Sequence, residues 1–326
     1  MKTAIIHHPI YRKHDTGIGH PETPKRYEAV MDALKKDADF FNSLLEIQPE
    51  QVSQGLIQAA HTKEHFKRVE GAFENGLEML DADTAISMKS FDAALYAAGG
   101  VCRAVDAVMN GEAKNAFVAV RPPGHHAEPN QAMGFCLFDN AAIGAAHARA
   151  AHGLERVAVI DFDVHHGNGT QTAFEHDPAY LYISTHQAYI YPGTGRRDER
   201  GVGNIVNVPL LANSGSTDLR QAWARDIEPA LRQFKPQFIL ISAGFDAHRM
   251  DPLAELDFTE DDYRWLTERI AAIATEFCRG RIASVLEGGY NLPALAASAV
   301  AHVKALMAAT SGLAKPDPED ANGRAP

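Results

Sequence analysis

The chain has 326 residues, with 31 Lys and Arg against 42 Asp and Glu, 16 His and 3 Cys, giving a formal net charge of −11. That balance, without any basic run, argues against a nucleic-acid binder held by phosphate contacts, and a hydrophobic content of 45% beside 22% charged residues argues against disorder. Three cysteines (Cys102, Cys136, Cys278) with no C-x-x-C pair cannot build a disulfide framework and fit reduced, intracellular thiols.

Short β-branched runs alternate with longer helical patterns along the chain. The runs Thr3–His7, Ala116–Val120, Val157–Asp161, Tyr180–Ser184, Phe238–Ser242 and Ile282–Leu286 read as strands. The stretches Pro24–Lys35, Lys63–Glu74, Asp92–Val108, Asn140–Ala151, Leu219–Gln233, Glu260–Cys278 and Leu295–Ala308 read as helices, the first with Thr23 as its cap. This alternation predicts a parallel sheet covered on both faces, and the continuous apolar strands agree. No linker interrupts the pattern, so one domain is expected over residues 1–311, and 312–326 reads as a flexible tail. The N-terminal apolar run is too short for a signal peptide. The uncharged stretch from Gly288 to Val303 falls short of a membrane span, so the expectation is a cytoplasmic protein with no membrane partner.

In open parallel sheets, reactive groups gather in loops beyond the carboxyl ends of strands. Four such positions here carry them: His125 and His126 after the strand ending at Val120; Asp161, Asp163, His165 and Asn168 after Ile160; Asp246 after Ser242; and Tyr290 after Leu286. In an extended segment residues i, i+2 and i+4 share a face, so Asp163 and His165 can reach one ion, with Asp246 as third ligand. Two carboxylates and one imidazole leave an open coordination position, the layout of a catalytic zinc, although the donors also suit Fe²⁺ or Mn²⁺. The adjacent His125 and His126 offer imidazoles for proton transfer, one of them oriented by a carboxylate such as Asp161. The Tyr290 phenol can donate to a developing oxyanion.

The motifs R-P-P-G-H-H-A-E, D-F-D-V-H-H-G-N-G-T, P-G-T-G, S-A-G-F-D-A-H and L-E-G-G-Y-N stand in the order found in the zinc-dependent histone deacetylase family. The chain resembles that family from about Ile5 to Met307, and looks like its class II branch and bacterial lysine deacetylase-like amidohydrolases. The resemblance implies an arginase/deacetylase α/β fold, a single domain with a central eight-stranded, mostly parallel sheet. It implies hydrolysis of an N-acetyl amide, with one Zn²⁺ on Asp163, His165 and Asp246. His126 would be base and then acid, His125 its electrostatic partner oriented by Asp161, Asn168 the residue behind His126, and Tyr290 the oxyanion donor.

By the same resemblance Phe135 and Tyr191 would line the tunnel for the acyl-lysine stem, beside Gly134, Gly289 and the apolar rim residue Leu253. The family often has Phe where Tyr191 stands. Arg26 would accept released acetate in an inner channel. Asp161 and Ser184, with carbonyls of Asp163, His165 and Thr185, would hold an inner K⁺, and carbonyls of Phe174, Asp177, Tyr180 and Asn204 an outer one. The implied partner is an acetylated lysine in a peptide or protein, or a small acetylated amine, with a homo-oligomer left open. An acetylpolyamine amidohydrolase is the alternative. The apolar Leu253, where the polyamine-selective eukaryotic branch has an acidic residue, and the short Gly71–Ser90 segment count against it. A binuclear arginase-like site needs an Asp-x-Asp where this chain has Asp246-Ala247-His248. A non-enzymatic acetyl-lysine binder fits poorly, because every catalytic position is filled.

Overall fold

The computed structural model describes residues 1–310; the expected tail over 312–326 lies outside the described residues. Eight strands form one sheet: β1 (Thr3–His7), β2 (Leu45–Ile47), β3 (Asn115–Ala119), β4 (Val157–Asp161), β5 (Tyr180–Gln187), β6 (Ile205–Leu210), β7 (Phe238–Ala243) and β8 (Ile282–Leu286). Their order is β2-β1-β3-β8-β7-β4-β5-β6, and every pairing is parallel. The six strands expected from sequence are all present, within a few residues at their ends. They are the runs buried at every position, which is why they read as unbroken apolar stretches. The two unexpected strands are the edges. β2 is three residues long, and β6 carries Asn207 and Pro209 with partly exposed positions. Short length and Pro are how sheet edges avoid further pairing, and both weaken the strand signal.

Helices Ser90–Met109 and Asn140–His152 cover one face of the sheet; Lys25–Lys36, Glu260–Cys278 and Leu292–Thr310 cover the other. The first expected helix starts at Lys25, where the Thr23 hydroxyl accepts from the Lys25 amide at 3.2 Å. The expected Lys63–Glu74 helix ends at Gly71. Leu219–Gln233 proves to be the middle of one rod with a π-helical turn at Trp223–Ile227 between Ser216–Ala222 and Glu228–Phe234. Within Leu292–Thr310, an 18-residue window to Ala309 reaches mean hydropathy 1.5, so this helix is longer and more apolar than the Gly288–Val303 stretch suggested. It spends that surface on packing against Lys25–Lys36 and Glu260–Cys278.

The strands β3, β8, β7 and β4 are consecutive neighbours at the centre of the sheet. Their carboxyl ends carry the loops with His125 and His126, Tyr290, Asp246, and Asp163 and His165. The fold thereby collects residues spread from Arg121 to Tyr290 at one place.

Candidate active site

The carboxylate–histidine cluster forms where β4 and β7 end. Asp163, His165 and Asp246 present ligand atoms that all lie within 4.8 Å of one another. His165 turns Nδ1 to Asp163 Oδ1 at 3.2 Å and to Asp246 Oδ2 at 3.1 Å. The remaining carboxylate oxygens are held by backbone donors: Gly288 N–H on Asp163 Oδ2 at 2.7 Å and Val164 N–H on Asp246 Oδ1 at 2.9 Å. Glycine is required around them. A Cβ at Gly244 would strike Asp163, and one at Gly288 would strike Asp246 and Asp163.

Electrostatics show what this cluster lacks in itself. Burial and the neighbouring Asp163 push the Asp246 carboxyl up to about 7. Burial pulls His165 down, but hydrogen bonds to Asp163 and Asp246 outweigh it and raise the imidazole to about 10. Two buried carboxylates beside one imidazole therefore demand positive charge. A divalent cation on His165 Nδ1 and the two facing oxygens meets that demand, so the donor set fits a metal.

His125 and His126 sit behind the cluster, with ring centroids 4.0 Å apart. His125 Nδ1 lies 3.0 Å from Asp161 Oδ2, which also accepts from the Tyr182 hydroxyl at 2.8 Å. Burial disfavours charge on His125, yet Asp161 and Asp163 outweigh it and raise its pKa well above the ordinary histidine value, which favours the imidazolium. His126 is the opposite case: burial, then the charges of His125 and His165, lower it well below 6.5. Its Nδ1 is 2.8 Å from Asn168 Oδ1. Asn168 has its orientation fixed because its Nδ2 donates to Glu128 Oε1 at 2.6 Å and to the His126 carbonyl at 3.3 Å. Oδ1 is thus the acceptor, Nδ1 of His126 carries the hydrogen, and the Nε2 lone pair is left available.

Tyr290 follows Gly289, whose φ of +121° suits glycine. The Tyr290 amide donates to Asp251 Oδ2 at 2.7 Å, and the Arg26 guanidinium lies 4.9 Å over its ring. Burial keeps the phenol protonated; Arg26 opposes this, and Asp246 and Asp163 reinforce it.

Phe135 packs edge-on to Tyr290 at 5.9 Å between ring centroids, while Tyr191 packs edge-on to His126 at 5.1 Å. Both aromatics thus border the site, and Leu253 is partly exposed at 38%. Gly134 and Phe135 both adopt positive φ, +57° and +67°. Their amides are tied to Asp83 Oδ1 and Thr84 Oγ1, and a Cβ on Gly134 would strike the His126 ring.

Two expectations meet side chains that are already engaged. Arg26 is fully buried and each of its nitrogens is already engaged: Nε with the Gly289 carbonyl at 2.7 Å, one terminal nitrogen with Glu22 Oε1 at 2.9 Å, and the other with the Glu287 carbonyl. It braces the loop that carries Tyr290, with three of its five N–H donors engaged in these contacts. At the outer potassium position, carbonyls of Phe174, Asp177 and Tyr180 do converge, but on the side-chain nitrogen of Asn204, at 2.8, 3.0 and 3.0 Å. The Asn204 carbonyl is itself used by the Tyr182 amide at 3.0 Å. The residues present do not fit an outer cation, because an amide donor stands where the three oxygens meet. At the inner position Asp161 and Ser184 are register partners.

Sequence reasoning missed the supporting charges. Glu22, fully buried, holds both Arg26 and Arg121. Glu287 accepts from the amides of Gly124 and His125 at 2.6 and 3.2 Å, and Asp251 and Glu128 support Tyr290 and Asn168. Glu287 and Glu128 stood inside quoted motifs, but nothing in their spacing distinguishes a buried brace from a surface carboxylate.

The chain is similar to known proteins over most of its length. The histone deacetylase domain matches residues 20–306. The chain is 41% identical over 297 residues to a probable deacetylase of Archaeoglobus fulgidus, covering 90% of this chain and 82% of that protein. It is also 41% identical over 278 residues to a histone deacetylase-like amidohydrolase of Pseudomonas aeruginosa, covering 83% and 72%. The crystal structure of the HDA15 HD domain superposes with a TM-score of 0.88 at 38% identity, covering 93% of this chain and 90% of that one. The chain belongs to the histone deacetylase family of the arginase/deacetylase superfamily, a family of deacetylase-like amidohydrolases.

Proposed function

We propose that the protein is a zinc-dependent deacetylase acting on the N-acetyl amide of lysine side chains in peptides or proteins. The observation that carries the reading is the convergence, at four neighbouring strand ends, of a metal-fitting triad, a neutral His126 with a fixed tautomer, and a protonated Tyr290. A divalent ion on Asp163, His165 and Asp246 would supply Lewis-acid polarisation of the substrate carbonyl and of the attacking water. His126 takes the proton from that water at Nε2, and its Nδ1–H is steadied by Asn168. The same imidazole then delivers a proton to the departing amine. The Tyr290 hydroxyl donates to the carbonyl oxygen as negative charge develops there. The His125 imidazolium lowers the basicity of its neighbour and stays charged on Asp161. Phe135 and Tyr191 exclude water from the acyl-lysine stem. A monovalent cation beside Asp161 and Ser184 is supported by their register.

The test is parallel kinetics on acetyl-lysine peptides and acetylated polyamines, with enzyme of measured metal content. The expected result is acetate release from the peptides that stops with a hydroxamate chelator. Tyr290→Phe is expected to keep its metal and lose about 10²–10³ in turnover. A strong preference for acetylated polyamines would overturn the substrate assignment, and full turnover by Tyr290→Phe would overturn the role of that residue.

A further inference from the structure

A second histidine–carboxylate cluster lies outside the site. Helices Ser90–Met109 and Asn140–His152 pack so closely that a Cβ on Gly144 would strike Val101. Further along the two helices, one turn past Gly144 for His147 and two for His152, both histidines meet Asp106. Both imidazoles turn Nε2 to the same oxygen, Asp106 Oδ1, at 2.8 and 2.7 Å, with their rings perpendicular and 5.9 Å apart. The side chains are 12% (His147), 15% (His152) and 35% (Asp106) exposed, so an ion can reach them from solvent.

We propose that Asp106, His147 and His152 form a peripheral site for a first-row divalent ion such as Zn²⁺ or Ni²⁺. Two imidazole nitrogens and one carboxylate oxygen lie within 4.8 Å of one another. Metal–ligand bonds of about 2.0–2.1 Å place tetrahedral ligands about 3.3 Å apart, so the two nitrogen–oxygen separations need to open by only about half an ångström. Nitrogen donors select this metal class over Ca²⁺ or Mg²⁺, and water completes the coordination. The tautomer of His147 is not locked from behind, because its Nδ1 is buried without a hydrogen-bond partner. Its Nε2 is therefore as available to ligate as to donate.

Position defines the role. Asp106 lies near the end of the helix that feeds β3, and His152 is the last residue of the helix that feeds β4. The cluster thus stands at the amino ends of the strands, opposite the catalytic loops. Its ion would clamp two helices together and raise stability by mass action without touching turnover.

The experiment compares wild-type enzyme with the His147→Gln/His152→Gln double variant after equilibrium dialysis against Zn²⁺, with metal counted per chain and melting followed with and without Zn²⁺. The expected result is one ion fewer in the double variant, a Zn²⁺-dependent rise in Tm smaller than that of wild type, and unchanged turnover. Asp106→Asn keeps an acceptor for both imidazoles while removing the charge, so it reads the ion separately from the fold if the double variant is unstable; it too should lose that ion. Equal metal content in wild type and Asp106→Asn, or a Zn²⁺-dependent Tm rise as large in both variants as in wild type, overturns the proposal. Because the readout is metal count and melting, the result stands apart from whether acetyl-lysine is the substrate.

Discussion

The two histidine–carboxylate clusters occupy opposite ends of one sheet and are held in different ways. At the carboxyl ends, Asp163 and Asp246 are fully buried, and each takes a backbone N–H on the oxygen that faces away from His165. Glycines close around them so tightly that no side chain could be added. At the amino ends, Asp106 meets its histidines across two helix surfaces, partly open to water, and among the described residues its side chain has imidazole partners alone. The first cluster is fixed before any ion or substrate arrives, which is what electrostatic catalysis needs. The second can adjust, which suits a role in stability.

The strongest way to break this contrast is to disarm the buried cluster alone. Asp246→Asn keeps an oxygen for the Val164 amide but removes one of the two charges that call for a cation. Loss of the catalytic ion and of deacetylation down to background is expected, with the peripheral ion still bound. Elemental analysis beside acetate release decides it. A variant that retained both ion and turnover would show that Asp246 is not a ligand.

The rigid end also rests on a second buried charge group. Glu22 pairs with Arg26 and Arg121, all three inaccessible to water. Burial raises its pKa, but Arg121, His14 and Arg26 outweigh this and hold the carboxyl well below its usual range. Glu22→Gln leaves two buried guanidinium groups short of one charge and is expected to cost about 3–5 kcal/mol in urea unfolding at neutral pH. The sign with pH follows from the depressed value. The contribution is complete above the unfolded carboxyl pKa of about 4.3 and is lost as pH falls through the folded one. Wild type and variant should therefore converge in stability in acid. A difference that stayed constant down to strongly acidic pH would refute the ion-pair account.

That contrast bears on what sequence could reveal. The six buried strands and the clustering of Asp163, His165 and Asp246 were legible because burial on both faces and alternation past a strand end leave a pattern in adjacent residues. β2 and β6 were not, because edge strands are short, half exposed and broken by residues such as Pro209. Glu22 was invisible for a different reason: its partners are Arg26, one turn away, and Arg121, on a distant loop. Arg26 was assigned by motif position, and only the coordinates show that its nitrogens already serve Glu22 and the loop at 287–290. The same holds for Asn204, whose backbone was expected to bind where its side chain does.

A smaller effect is expected behind His126. Asn168→Ala removes the acceptor from His126 Nδ1 and frees Glu128, so the imidazole is no longer held in one tautomer. Such outer partners are worth roughly 10–100-fold, and the loss should fall on kcat with metal content unchanged. Loss of the bound ion instead would make Asn168 part of the metal site's scaffold.

The smallest effect belongs to the amino end, where Asn204 precedes β6 and fills the meeting point of three carbonyls. If the amide serves these oxygens in place of a cation, Asn204→Ala leaves them to water or to an ion. An unserved buried acceptor costs about 1–3 kcal/mol, and water entering the gap reduces that. K⁺ should reduce it further, because three converging carbonyls without a donor are a cation cradle. Melting of the variant is therefore expected to rise with KCl more than with choline chloride at equal ionic strength, with wild type showing the smaller difference. Crystals soaked in Rb⁺ should show one more site in the variant than in wild type. If wild type already binds Rb⁺ between Phe174, Asp177 and Tyr180, Asn204 must swing away on binding, and the amino end would prove as adaptable at this position as at Asp106.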